Sequence, residues 1–123
     1  MVLIVLLVIF FGDNSSIYNI ETASSIDTST YEAIDKTDKF EISTQEIFVA
    51  FGTQDLEIGT TIVGIWKYDG GEIASSSLVT SLEEHQAYFS LTSPTSGWPL
   101  GDYELIFQIN DEEVASTEFS VIE

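Results

Sequence analysis

From Phe40 onward, apolar and polar residues alternate with a period of two, and Gly, Pro, Asn, Asp or Ser interrupt the alternation every eight to twelve positions or so. No apolar stripe at helical spacing lasts three turns, so the pattern predicts strands. Phe40 to Ser43 reads as a weak first strand. Ile47 to Phe51 follows, with Ile47, Val49 and Phe51 on one face, and Gly52 to Gly59 is a loop. Thr60 to Tyr68 is the strongest strand, rich in β-branched residues, and places Ile62, Gly64, Trp66 and Tyr68 on one side and Val63 and Ile65 on the other. Asp69-Gly70-Gly71 supplies the positive φ that a tight hairpin needs. Glu72 to Thr80 is softer and Ser-rich, the composition of a sheet edge, and Gln86 to Thr92 turns Ala87, Phe89 and Leu91 one way. In Ser93 to Gly101, two prolines and two glycines forbid a strand interior, and Trp98 is expected to fold back over the end of the core. Asp102 to Asn110 sets Tyr103, Leu105, Phe107 and Ile109 inward. After a turn at Asn110-Asp111-Glu112, Glu113 to Ile122 carries Ala115, Thr117, Phe119 and Val121 on one face.

Seven such strands in about 85 residues predict an all-β, immunoglobulin-like sandwich, in which two sheets bury alternate residues against each other. The run from Pro99 to Val121 resembles the last two strands of the immunoglobulin-like domains of bacterial and archaeal surface proteins. Tyr103, two residues after Gly101, falls where that family's tyrosine corner would be, and Trp66 where its core tryptophan would be. The resemblance covers about the last two thirds of the chain. It implies a fold rather than an activity, because this sandwich hosts many unrelated roles.

The N-terminus differs in kind. Val2, Leu3, Ile4, Val5, Leu6, Leu7, Val8, Ile9, Phe10 and Phe11 form an unbroken apolar run that Gly12 and Asp13 end. As a helix it reaches about 15 Å, half of a bilayer's hydrocarbon core, but its length suits the apolar region of an export signal. No basic residue precedes it and no small-residue cleavage site closes it. It reads as an export signal or membrane tether, with a buried first strand or helix as the alternative. Residues 13–38, rich in Ser, Thr, Asp and Asn, read as a solvated linker. The expected organisation is an apolar signal, anchor or assembly segment at 1–12, a polar linker at 13–38 and the sandwich at 39–123, on the outside of the cytoplasm.

Composition removes several chemistries. The chain has 123 residues, 21 Asp and Glu against 3 Lys and no Arg, a formal net charge of −18 and a mean hydropathy of +0.18. Nucleic acid is excluded as a partner because its affinity comes from cations on phosphate, and contact with an anionic membrane is left to the apolar run alone. Without cysteine there is no disulfide, thiolate metal site or cysteine nucleophile. His85, the single histidine, lies beside Glu83 and Glu84 in an expected turn and reads as an exposed imidazole. No catalytic group and no cofactor are expected. Calcium, which takes hard oxygen ligands, has only weak candidates in Asp69 with Glu72 and Asp111 with Glu112, all explicable as turn chemistry. Trp98, Tyr88 and Tyr68 are candidate stacking platforms for a glycan if exposed, whereas the phases of Trp66 and Tyr103 place them in the core.

Two functions fit these features. One is a non-catalytic surface module, tethered by its N-terminus, that binds another protein or a glycan. The other is a structural subunit that self-associates at the cell surface through the apolar run or an open sheet edge. The acids are spread along the chain rather than blocked together, so they read as a solvating coat. Added salt should therefore raise the melting temperature by screening self-repulsion, and calorimetry across 0.05–1 M NaCl checks this; a flat or falling curve contradicts the coat.

Overall fold

The computed structural model describes residues 16–81 and 86–123, and Val2 to Phe11 and His85 lie outside them. Nine strands are present among the described residues: β1 Ile17–Ile26, β2 Ala33–Lys36, β3 Lys39–Glu41, β4 Glu46–Thr53, β5 Thr61–Tyr68, β6 Gly71–Val79, β7 Gln86–Thr92, β8 Gly101–Ile109 and β9 Glu112–Ile122. They form a four-stranded sheet in the order β2-β1-β4-β7 and a five-stranded sheet in the order β3-β9-β8-β5-β6, packed face to face. The seven expected strands are β3 to β9, and β6 is an edge as its composition suggested.

The other two strands correct the reading of residues 13–38 as a linker. β1 pairs antiparallel with β4, but one extra residue sits between the Tyr18–Gly52 and Glu21–Ala50 pairs, where Asn19 has φ 54°. That bulge places the apolar Ile17 and Ile20 three apart instead of two, so the alternation that marks a strand is broken. Thr22, buried on the core side, has its hydroxyl satisfied by the Thr37 carbonyl. The chain then changes sheets: β3 runs parallel to β9, pairing Phe40 with Val121. Both of those residues are buried.

The core holds two groups of aromatic rings. Phe51 meets Phe107 at 4.9 Å and Phe89 at 5.2 Å, and Phe119 meets Tyr103 at 5.2 Å, Phe40 at 5.6 Å and Trp66 at 6.2 Å between ring centres. The indole N–H of Trp66 donates to Ser76 Oγ at 3.0 Å, so a serine of the soft edge strand is the polar partner that lets the tryptophan be buried. Two-residue hairpins close both ends of the five-stranded sheet, with Asp69 and Gly70 at φ 51° and 85° and Asn110 and Asp111 at φ 55° and 66°. These are the residues that tolerate such angles most readily. Opposite the core, Thr80 Oγ1 donates to Glu57 O at 2.8 Å and accepts from Thr60 N at 3.0 Å, tying the β4–β5 loop to the end of β6.

Gly64 sets how closely the sheets approach. A Cβ there would lie 2.8 Å from Phe89 Cδ2 and 3.1 Å from Leu105 Cδ1, inside van der Waals contact. Gly64→Val should destabilise the protein by about 1–3 kcal/mol through overpacking, measured by urea denaturation, while Val63→Ala on the other face should cost less than half as much.

Candidate functional site

The side of the sandwich where the β6 and β7 edges lie against each other differs from the rest of the surface. Along β6 only Glu72 is charged, and β7 has no charge, in a chain whose net charge is −18. Between them, at the end nearest the β5–β6 hairpin, lies a cavity of about 270 Å³ lined by Tyr68, Ile73, Leu91, Pro94, Trp98 and Pro99, with Thr92 and Tyr103 behind. Ile73 reaches it because it is the extra residue between the Trp66–Ala74 and Lys67–Glu72 pairs, and it is 51% exposed.

Three ring donors hold the β7–β8 connection that walls the cavity. Tyr103 Oη donates to Pro99 O at 2.6 Å, Tyr68 Oη to Leu100 O at 2.7 Å, and Trp98 Nε1 to Thr44 O at 2.6 Å. The hydroxyl of Tyr103 thus reaches back four residues to the backbone, which is the geometry of a tyrosine corner. Its ring stacks on Phe119, lies 4.9 Å from Tyr68 and meets Trp98 edge-on at 6.1 Å. Burial, with the neighbouring Tyr68 adding, pushes the Tyr103 phenol up to about 12.

The candidates from the sequence do not converge. Trp98 is only 3% exposed, so it covers the end of the core and offers no stacking surface. Tyr88 is on the outer face of the four-stranded sheet, where its ring meets Phe48 at 5.8 Å and Tyr31 at 5.6 Å. Gln86 Nε2 donates to Tyr31 O at 3.4 Å, so the tip of the β1–β2 hairpin reaches across to β7. Tyr68 and the buried Trp98 both line the cavity, and the Tyr68 ring is tilted 46° to its neighbour Tyr103. Asp69 and Glu72 belong to the β5–β6 hairpin and Asp111 and Glu112 to the β8–β9 hairpin, at opposite ends of one sheet. Among the described residues no three His, Asp or Glu side chains are grouped closely enough to hold a metal ion. Ile73, Leu91, Pro94 and Pro99 were not singled out in the sequence. Two prolines close together before a Tyr-initiated strand were the available signal, whereas the bulge that turns Ile73 into the cavity leaves no mark in the pattern.

A second concavity, of about 430 Å³, lies on the outer face of the five-stranded sheet and is lined by Asp38, Asp69, Asp102, Glu104 and Glu118 with Lys39 and Lys67. There Lys67 sits opposite both Glu72 and Glu104, and Glu104 sits directly opposite Glu118. A like-charge cross-strand pair costs a few tenths of a kcal/mol, which solvation on an open face tolerates.

Among solved structures, the chain is similar to an immunoglobulin-like protein from Pseudomonas aeruginosa, with a TM-score of 0.62 at 14% identity, over 85% of this chain and 93% of that one. This is an immunoglobulin-like fold. A β-glucosidase from Listeria innocua also aligns, with a TM-score of 0.47 at 14% identity over 89% of this chain and 16% of that one. An alkylpurine DNA glycosylase from Pseudomonas fluorescens aligns with a TM-score of 0.46 at 11% identity, over 88% and 30%. No family model and no curated protein matches the sequence.

The immunoglobulin-like corner carries its own pH dependence. An unfolded tyrosine ionises near 10, so between about 10 and 12 the unfolded chain has released a proton that folded Tyr103 retains. Stability should therefore be unaffected by this group below pH 10 and fall as pH rises towards 12. Tyr103→Phe should cost about 1 kcal/mol at pH 7, by leaving the Pro99 carbonyl unpaired, and give a shallower alkaline limb in denaturant melts.

Proposed function

We propose that this chain is a non-catalytic, extracytoplasmic immunoglobulin-like module, held at the cell surface by residues 2–11, that binds protein through its β6–β7 side. The observation that supports this most is the apolar cavity between two sheet edges whose one charge is Glu72, on an otherwise acidic molecule. An extended segment laid along β6 gains main-chain hydrogen bonds, and an apolar side chain of it fits the cavity. Protein is favoured over glycan because sugar recognition calls for exposed rings presented together, and Trp98 is buried while Tyr68 and Tyr88 belong to different sheets. The acidic face carries solubility in this reading and needs no cationic ligand.

A photoreactive benzophenone placed at Ser77 on β6, and separately at Glu104 on the acidic face, tests the site in intact source cells. Irradiation should give a protein adduct from position 77 and none from 104. No adduct at 77, or equal adducts at both, overturns the site. Externally added protease should digest the chain, and full protection overturns the location.

A further inference from the structure

We propose that the protein on the β6 edge is a second copy of this chain, paired antiparallel with the first so that the two five-stranded sheets become one. This rests on the reading of the β6–β7 side as the binding surface, and names its partner.

The other edges of the sandwich are protected. Natural sheets protect free edges with short strands, charges, lysines or prolines. Among the described residues, β2 is four residues long with Asp35 and Lys36, and β3 is three residues long with Lys39 and Glu41. β7 is uncharged, but only Thr92 along it is exposed. β6 has nine residues, no lysine and no proline, and six of them are exposed. Its single charge, Glu72, stands next to its start, and from Ile73 to Thr80 there is none. A bulge at Ile73 is its one protective feature, and it leaves Ala74 to Val79 in regular pairing with β5.

Charge then selects the occupant. Two copies bring a formal −18 each, so they repel wherever their acids face each other, and an uncharged edge is where like copies can meet. Register completes the choice. Ala74, Ser76 and Leu78 sit opposite Trp66, Gly64 and Ile62 of β5, and so share the core-facing side, while Ser75, Ser77 and Val79 face out. An antiparallel two-fold pair matches residues on the same face. With Ser76 opposite its own symmetry mate, Ser75 meets Ser77 and Ala74 meets Leu78; because Ile73 is the extra residue of the bulge, Glu72 takes the next slot, opposite Val79, which is 58% exposed. The last contact occurs twice by symmetry, and no charge faces a charge.

The chain has no cysteine, so the register can be read by disulfides. Full-length Ser75→Cys and Ser77→Cys proteins with different tags are mixed in a non-ionic detergent, which keeps residues 2–11 from driving association, and oxidised. Residues directly opposite in such a pair have Cβ atoms about 4.5–5.5 Å apart. The mixed disulfide should exceed either self-disulfide several-fold, and Glu104→Cys should form none. In sedimentation equilibrium, Val79→Glu should weaken the dimer about tenfold, and raising NaCl from 0.05 to 0.5 M should strengthen the unsubstituted dimer by screening. A monomer with no excess of mixed disulfide overturns the second copy. If the benzophenone at Ser77 then captures a different protein, the binding surface stands and only its partner changes; if it captures none, both readings fall.

Discussion

The structure depends on the burial of Tyr103. Its ring stacks on Phe119 in the core, and its hydroxyl is satisfied by the carbonyl of Pro99. A buried phenol without that partner would give up about 1–3 kcal/mol, offsetting much of what its apolar contacts contribute, which favours a β7–β8 connection whose backbone passes where the hydroxyl can reach it. Once the connection is held there, Tyr68 binds the next carbonyl and Trp98 closes the end of the sandwich on Thr44. Core, corner and cavity wall are therefore consequences of one hydrogen-bonded ring.

The same coupling separates the two surfaces of the molecule. On the outer face of the five-stranded sheet, Glu104 sits opposite Glu118, a like-charge pair that an open face tolerates. On the β6–β7 side, a run of serines, one bulge and two prolines leave an uncharged edge and an apolar hollow. Ser76 shows how the two demands meet on one strand. It faces inward to satisfy the Trp66 indole, and its neighbours Ser75 and Ser77 keep the edge soluble without charge. An edge that must remain monomeric is more cheaply protected with lysine, and this one is not.

Most of the sandwich was legible from alternation alone. β4, β5, β7, β8 and β9 were placed to within a residue or two with the right residues inward, because each buries one face and a one-residue slip would expose it. β1 and β2 were read as linker because the bulge at Asn19 breaks the period and because Ser, Thr and Asp look alike in a linker and on a strand whose outer face is wet. The candidate site was less legible. Tyr68 and Trp98 were singled out, but their roles follow from hydrogen bonds to carbonyls distant in sequence, and Ile73 faces the cavity through a register shift between two strands.

By itself the sequence determined the sandwich, the hairpins, the identity of its core aromatics and the chemistries its composition forbids, since period, turn angles and ligand types are local properties. Only the tertiary structure decided that residues 17–36 belong to the fold, that Trp98 is a lid rather than a platform, and that two nearly uncharged edges flank one apolar cavity. Each of those depends on which distant segments share a boundary, and a one-dimensional pattern does not encode that.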